Sequence, residues 1–166
     1  ARSVVCTAPS KTFNLAGLQT ANLIIPDAKL RRDYSVAQEE CGFFSANVFG
    51  TVALEAAYTY GEPWLEALLQ YIEGNLRFLS EFITRKMPRI TLIEPEATYL
   101  AWLDFRGLGM DSRALKDFLR HSAGVALGEG HIFGGGGEGF ARVNLACPRR
   151  ILEEGLGRLA NAIDGL

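Results

Sequence analysis

The stretch that decides the fold is Thr7-Ala8-Pro9-Ser10-Lys11-Thr12-Phe13-Asn14-Leu15-Ala16-Gly17. It places Lys11 between an apolar run and a turn-like segment that contains Asn and Gly. A lysine at the end of a buried strand, facing a cavity, can be desolvated until its amine becomes a nucleophile. Thr7 and Ser10 offer hydroxyls on either side of it, and the Pro9 kink would present them together. Taken alone, however, a lysine is more often a solvated surface charge.

On either side of this stretch, short apolar runs that end at prolines predict two buried strands, at residues 3–6 and 22–25. Helical composition predicts helices over residues 28–40 and 48–60, with Gly61 stopping the second. The longest helix is predicted over 63–86, where Met87-Pro88 ends it. Its apolar residues recur at spacings of three and four and form one stripe, namely Leu65, Leu68, Leu69, Ile72, Leu76, Leu79 and Ile83.

From about residue 87 the pattern changes to alternating strands and helices. The predicted strands are Ile90–Ile93, Thr98–Phe105, Ala141–Ala146 and, as a fourth, Gly124–Leu127. The predicted helices are Ser112–Ser122, capped by Asp111 or Ser112, and Arg149–Ile163. So many strands separated in sequence exclude a helical bundle and predict a mixed α+β unit.

A second candidate for chemistry lies on the strand Ala141–Ala146. Alternation puts Ala141, Val143 and Leu145 on one face, and Arg142 and Asn144 on the other. A guanidinium beside an amide can hold a carboxylate through two parallel hydrogen bonds. A strand whose polar face meets solvent would give the same pattern.

Composition limits the classes of function. The 166 residues are 48% apolar and 22% charged, with a formal net charge of −2. This is typical of a globular protein and gives no broad attraction to nucleic acid or to an anionic membrane. Three cysteines without metal-like spacing predict buried thiols in a reducing compartment and no metal site.

The segment around Lys11 closely resembles the cofactor-lysine motif of fold-type I pyridoxal-phosphate enzymes. Within the class I/II aminotransferase family it is most similar to the MalY/PatB-like cystathionine β-lyase, or C–S lyase, branch. The resemblance covers nearly the whole chain in order, through 47–50, 55–58, 73–75, 94–104 and 139–149. It implies an α/β fold, the C-terminal portion of the PLP-dependent transferase fold, with a small mixed sheet, helices packed on it and part of the large domain.

The resemblance also implies roles for individual residues. Lys11 would bind the cofactor, pyridoxal 5′-phosphate, covalently and would then remove the substrate Cα proton. Arg142 would bind the substrate α-carboxylate, and Thr7 and Ser10 would contact the cofactor phosphate. Aminotransferases of the family typically carry a basic residue eight or nine positions after the lysine, where this sequence has Gln19 and Thr20, a difference that favours the lyase branch.

The implied activity is cleavage of Cβ–S bonds in cysteine-derived amino acids to thiol, pyruvate and ammonia. A class I/II aminotransferase is the alternative, because the same two residues serve both reactions. The resemblance further implies a small amino-acid substrate, a cytoplasmic location and a homodimer.

The domain organisation follows from the same resemblance. Residues 1–60 would be the C-terminal end of the large cofactor-binding domain, and residues 61–166 the small C-terminal domain. Family members are about twice as long or longer, so the sequence is expected to be a fragment that alone neither holds the cofactor tightly nor turns over substrate. A non-catalytic module kept for dimerisation or binding is the remaining alternative.

Overall fold

A computed structural model describes residues 2–166. The chain divides into two compact units, one that ends at Leu68 and one from Leu69 to Leu166. The boundary falls inside a long helix, eight residues after the 60/61 position that the resemblance implies. Each unit is described by itself below.

The first unit begins with a two-stranded antiparallel pair. Strand β1 (Val5–Thr7) pairs with β2 (Asn22–Ile24), and Thr7 stands opposite Asn22. The connection between them holds the Lys11 segment and a 3₁₀ turn at Ala16–Leu18. Both strands lie within two residues of their predicted positions, but the prediction that they are buried is wrong, since β1 is exposed throughout and β2 is exposed apart from the half-buried Asn22. The pair brings the two ends of this connection together.

Two helices complete the first unit, and both have the predicted bounds. Helix α1 (Ala28–Glu40) is capped by Asp27, whose carboxylate accepts from the Leu30 N–H at 2.8 Å. Helix α2 (Val48–Tyr60) is capped by Asn47 and ends at Gly61. These side-chain caps satisfy N–H groups that the first turn of a helix leaves without a partner.

Helix α3 (Glu62–Lys86) runs through the unit boundary and ends, as predicted, before Met87. Leu79 and Ile83 from its apolar stripe are fully buried, and Met87 continues the stripe past its end. Leu69 departs from the prediction, because 56% of it is exposed. The stripe is therefore buried over the C-terminal half of the helix.

The second unit is built on a four-stranded antiparallel sheet. Its strands are β3 (Thr91–Ile93), β4 (Leu100–Asp104), β5 (Gly128–Glu129) and β6 (Phe140–Asn144), in the order β3-β4-β6-β5. The strand predicted at Gly124–Leu127 is wrong, and the fourth strand follows it. Gly124 has a φ of +64°, and the Val125 N–H donates to the Leu119 carbonyl at 2.8 Å, so this segment closes the preceding helix.

Helices pack on one face of this sheet and close the core. Helix α4 (Ser112–Asp117) is capped by Asp111 and continues as a π-helical turn at Phe118–Ser122, and α5 is Arg149–Asp164. The core combines the inner sheet face with α3, α5 and the α4 region: Leu79, Ile83, Ala101, Leu103, Leu115, Phe118, Ala141, Val143, Leu152, Leu156, Leu159 and Ile163. The opposite face of the sheet is not covered by these helices. None of the helices in residues 2–166 combines the length and the apolar character needed to cross a membrane.

Candidate functional site

Lys11 lies on a tight turn directly after β1. The Phe13 N–H donates to the Pro9 carbonyl at 2.9 Å, and the Leu15 N–H donates to the Ser10 carbonyl at 3.0 Å. Pro9 is buried while Lys11 is exposed. The backbone hydrogen bonds therefore fix the turn and leave the lysine side chain outside it.

The groups beside Lys11 are hydroxyls. The Thr7 oxygen accepts from the Asn22 side chain at 3.5 Å, which leaves the Thr7 hydroxyl proton to donate elsewhere. Ser10 is half-buried. In the part of the chain that the structure describes, the Lys11 ammonium has no ion pair and no hydrogen bond, unlike Lys29, which pairs with Asp33 at 2.7 Å. The amine is therefore available to a ligand.

The segment that follows Lys11 is fastened to the start of α2. The Leu18 carbonyl accepts from the Thr20 hydroxyl at 3.1 Å and from the Asn47 side chain at 3.2 Å. Gly50 provides the space, because a Cβ at this position would overlap the Thr20 hydroxyl and stand 3.0 Å from the Leu18 carbonyl oxygen. Any larger residue at position 50 would displace this segment.

Phe13 fastens the same segment at the other end of α2. Its ring lies 6.0 Å from the ring of Tyr58, edge to face, and 6.0 Å from the ring of Trp64. A Cβ on Gly61 would overlap both Phe13 and the Ala57 carbonyl. The residues on both sides of the Lys11 turn are thus held by packing within the first unit.

Arg142 lies in the second unit, on the sheet face opposite the core. The alternation predicted for β6 is confirmed, since Ala141 and Val143 are buried while Arg142 is half-buried and Asn144 exposed. Trp102 of β4 stands opposite Arg142 on one side and Gly128 of β5 on the other. The Asn144 oxygen accepts from the Ala146 N–H at 2.8 Å, so its amide is partly committed to the local backbone.

A row of aromatic rings beside the Arg142 guanidinium lies on this outer face. The central carbon of the guanidinium lies 4.6 Å from the centre of the Phe133 ring. Phe133 meets Trp102 edge to face at 5.6 Å, and Trp102 stacks on Phe140 at 5.7 Å. A second arginine, Arg106, covers the far end of this row, 4.8 Å from the Phe140 ring centre.

The two arginines differ in their electrostatic partners. Arg106 grips Asp104 with side-chain hydrogen bonds of 2.7 to 3.1 Å, and this contact lowers the pKa of the Asp104 carboxyl below its ordinary value. Arg142 has no carboxylate partner among residues 2–166, although it is half-buried. A guanidinium in this condition is suited to bind a carboxylate from a ligand.

Three basic side chains lie around Glu129, at the end of β5. Lys116 and Arg120 reach its carboxylate at 3.2 and 2.8 Å, and His131 lies 3.7 Å from it. Burial acts to raise the pKa of Glu129, but the hydrogen bond from Lys116 and the neighbouring charges outweigh it and lower the pKa. The cluster joins β5 to the α4 region.

Sequence reasoning missed the aromatic row and the supports of the Lys11 turn. Trp102 carried a signal, because alternation along β4 places it on the same face as Asp104. Phe133 carried none, since it lies in an irregular 3₁₀ turn, Gly130–Phe133, beside the glycine run. Asn47 gave a signal only as a helix cap, and its bond to Leu18 depends on the folded chain.

Comparison with known proteins now adds to this geometry. The family model for aminotransferase class I and II matches residues 2–159. Over 97% of this chain, cystathionine β-lyase PatB of Bacillus subtilis is 41% identical, and over 95% of it the protein MalY of Escherichia coli is 39% identical. The chain covers 42% of PatB and 40% of MalY, so it spans about two-fifths of the length of these relatives.

The fold is shared with a solved structure that contains the cofactor. Cystalysin of Treponema denticola, whose crystal structure contains pyridoxal 5′-phosphate, superposes with a TM-score of 0.92 at 37% identity. The match covers 98% of this chain and 41% of cystalysin. The chain therefore has the fold of the corresponding part of a PLP-dependent enzyme of the transferase fold, as the sequence predicted.

Proposed function

The chain belongs to the aminotransferase class I and II family, and we propose that it is the C-terminal part of a pyridoxal-phosphate-dependent C–S β-lyase of the cystathionine β-lyase type. One observation carries the proposal. A chain 41% identical to a cystathionine β-lyase presents an exposed, unpaired lysine on a fixed turn and a half-buried arginine without a carboxylate partner among the described residues. We assign residues 1–60 to the large domain and 61–166 to the small domain of such an enzyme.

The side chains around Lys11 fit a cofactor that carries an aldehyde and a phosphate. The Lys11 amine is free to bond covalently to an aldehyde, and the hydroxyls of Thr7 and Ser10 are suited to donate to phosphate oxygens. When bound, pyridoxal phosphate supplies an electron sink for negative charge at the substrate Cα. The residues present therefore match the needs of this cofactor.

Each of the two principal residues has one task in the proposed reaction. Arg142 binds the α-carboxylate of the amino acid through two parallel hydrogen bonds and so orients it. The Lys11 amine, once released by the arriving substrate, removes the proton from Cα. Loss of the sulfur substituent from Cβ then yields a thiol, and addition of water gives pyruvate and ammonia.

The alternative reaction, amino-group transfer, would use the same two residues. Two neutral residues favour the lyase, because Gln19 and Thr20 stand where the family's aminotransferases typically place a basic residue. In the structure the Thr20 hydroxyl donates to the Leu18 carbonyl, and Gln19 has a φ of +50°. Neither side chain supplies the positive charge that would help to hold a phosphate.

The test uses the intact protein, loaded with pyridoxal phosphate and given L-cystathionine. We expect equal amounts of thiol, pyruvate and ammonia, and we expect Lys11→Ala to abolish turnover because the cofactor bond and the base are both lost. Lys29→Ala is the matched control, an exposed lysine of the same unit that pairs with Asp33. Full activity in Lys11→Ala would contradict the role of Lys11. With a 2-oxo acid added as amino acceptor, transfer of the amino group to it without release of thiol or ammonia would establish the aminotransferase.

The present chain by itself should neither retain the cofactor nor cleave cystathionine. Its share of the relatives' length, about two-fifths, supports this expectation. The measurement is cofactor absorbance after gel filtration, together with a thiol assay. Retained cofactor with thiol release would show that residues 1–166 suffice.

We extend the proposal to a homodimer in the cytoplasm. Large apolar side chains of the first unit are open to solvent, with Phe44 81% and Phe49 77% exposed, and surfaces of this kind mark contacts with further protein, here the rest of the large domain and a second copy. The predicted burial of the thiols is wrong for Cys6 and Cys41, which are exposed, but all three cysteines are unpaired, as expected in a reducing compartment. Sedimentation of the intact protein as a monomer at micromolar concentration would contradict the dimer, and association without lyase or transaminase activity would favour a non-catalytic module.

A further inference from the structure

The Phe133 ring lies under the guanidinium of the arginine that the proposed function assigns to the substrate carboxylate. We propose that Phe133 is a positioning residue, which holds the Arg142 guanidinium in the orientation that binds this carboxylate. The inference rests on the proposed function, and it adds to that function a residue that contacts the arginine rather than the substrate. Its basis is the 4.6 Å separation between the guanidinium carbon and the ring centre.

The physical argument begins with the flexibility of arginine. A guanidinium stands at the end of a long stem and must be ordered before it can hold a carboxylate with two parallel hydrogen bonds. An aromatic ring attracts the flat face of the cation, while the N–H groups point outward in the plane of the guanidinium. Stacking on Phe133 therefore orders Arg142 without consuming the groups that would bind substrate.

The surroundings of this pair support the same role. Trp102 meets the Phe133 ring edge to face at 5.6 Å and keeps it in place. On the other side of Arg142, a Cβ on Gly128 would stand 3.2 Å from the Arg142 Cβ and 3.4 Å from its Nε. Gly128 thus leaves room for the arginine stem, and Phe133 supplies the restraint.

The outer face of the sheet also provides an internal control. Arg106 lies over Phe140 at 4.8 Å, in a contact of the same kind, but its N–H groups are occupied by Asp104. Phe133 is 51% exposed and lies outside the core, so its replacement should leave the fold intact. Phe133→Leu and Phe140→Leu therefore remove equivalent rings beside two arginines, only one of which is assigned to substrate.

The first experiment measures steady-state kinetics of the intact, cofactor-loaded protein with L-cystathionine. Phe133→Leu should raise KM about two- to fivefold with little change in kcat, because this factor corresponds to the free energy of one cation–π contact. Phe133→Tyr should restore KM, because the ring is retained, and Phe140→Leu should leave it unchanged. Arg142→Lys should raise KM. In an Arg142→Gln background, which lacks the cation that the ring holds, Phe133→Leu should add nothing further.

The second experiment needs no catalysis. Phenylglyoxal modifies accessible guanidinium groups, and mass spectrometry locates the modified arginines in the intact protein. Phe133→Leu should accelerate modification at Arg142 and not at Arg106, because it uncovers one face of Arg142 alone. Phe140→Leu should leave the rate at Arg142 unchanged.

The outcomes separate this inference from the function on which it rests. If Arg142→Lys leaves KM unchanged, the role of Arg142 in the proposed function is wrong. If Arg142→Lys raises KM while Phe133→Leu changes neither KM nor the modification rate at Arg142, only the positioning role is wrong. Equal effects of Phe133→Leu and Phe140→Leu on KM would also overturn it, since they would show a general disturbance of the face.

Discussion

The two units differ most in where their apolar side chains lie. Apart from Pro9 and Gly50, Ile25 is the one buried apolar residue described in the unit that ends at Leu68, and the large buried apolar side chains otherwise lie from Leu79 onward. The second unit closes its own core between a four-stranded sheet and its helices. The first has a pair of three-residue strands, too little sheet to cover the apolar side of α2.

The residues that stabilise the fold and the residues proposed to act in the reaction therefore lie in different places. Lys11 lies in the unit with open apolar surface, and Arg142 lies on the outer face of a sheet whose inner face is packed. Substitutions in the core of the second unit should therefore change the free energy of unfolding strongly. Equivalent substitutions in the first unit should change it little while that surface remains open.

The largest effect is expected for Leu79→Ala, on the buried side of α3. It should lower the free energy of unfolding by about 2–5 kcal/mol, since it removes a fully buried side chain and leaves a cavity. Urea denaturation measures the change. Leu69→Ala, on the same helix but 56% exposed, should cost less than about 0.5 kcal/mol.

Urea denaturation of a variant in α2 tests whether the first unit really lacks a core of its own. Val52 is 60% exposed, and Val52→Ala should cost less than about 0.5 kcal/mol. A loss as large as that of Leu79→Ala would show that the first unit has a core around α2.

A somewhat smaller effect is expected for Asn75→Ala. The Asn75 side chain is fully buried, donates to the carbonyls of Leu145 and Cys147 at 2.8 and 3.0 Å, and accepts from Arg149 at 2.8 Å. Removal of its amide leaves these groups buried without a hydrogen-bond partner. The free energy of unfolding, measured by urea denaturation, should therefore fall by about 1–3 kcal/mol. Asn161→Ala, at an exposed position on α5, should be close to neutral, and equal losses at both positions would refute the role of the buried contacts.

The smallest effect concerns pH. The Arg106 contact lowers the folded pKa of Asp104, so its contribution is present above the unfolded pKa and is lost as pH falls through the folded pKa. Asp104→Asn should therefore reduce stability at pH 7, by at most about 1 kcal/mol given the exposure of Arg106, and the difference from wild type should vanish in strong acid.

The first unit supplies the control for this pH dependence. Asp33 pairs with Lys29, and both side chains are more than half exposed. The free energy of unfolding of Asp33→Asn should not differ measurably from that of wild type, either at pH 7 or in acid. A pH-independent difference between wild type and Asp104→Asn would contradict the ion-pair explanation.

The sequence predicted the elements well where the signals were local. Asp27, Asn47 and Gly61 are capping residues at the ends of α1 and α2, and both helices have their predicted bounds. The error at Gly124–Leu127 has a physical cause, because a short apolar run can pack against a core from irregular backbone as well as from a strand. Periodicity does not distinguish the two.

The site was less predictable from sequence than the helices. Lys11 and Arg142 could be named from their motifs, and their roles stay predictions. Their supports depend on contacts between distant segments, such as Gly50 beneath the loop at Leu18 and Phe133 against Trp102. Such contacts leave no mark in local spacing.

The buried amide of Asn75 has a consequence for how the second unit opens. The connection from β6 to α5 is irregular in shape, and loops of this kind usually fray first. Here the connection cannot detach without leaving the Asn75 amide buried and without its acceptors. We therefore expect it to open together with α3 as one cooperative element. The backbone amide protons of this connection should exchange with solvent as slowly as those of the core. The loop would then be exposed only when the whole second unit unfolds.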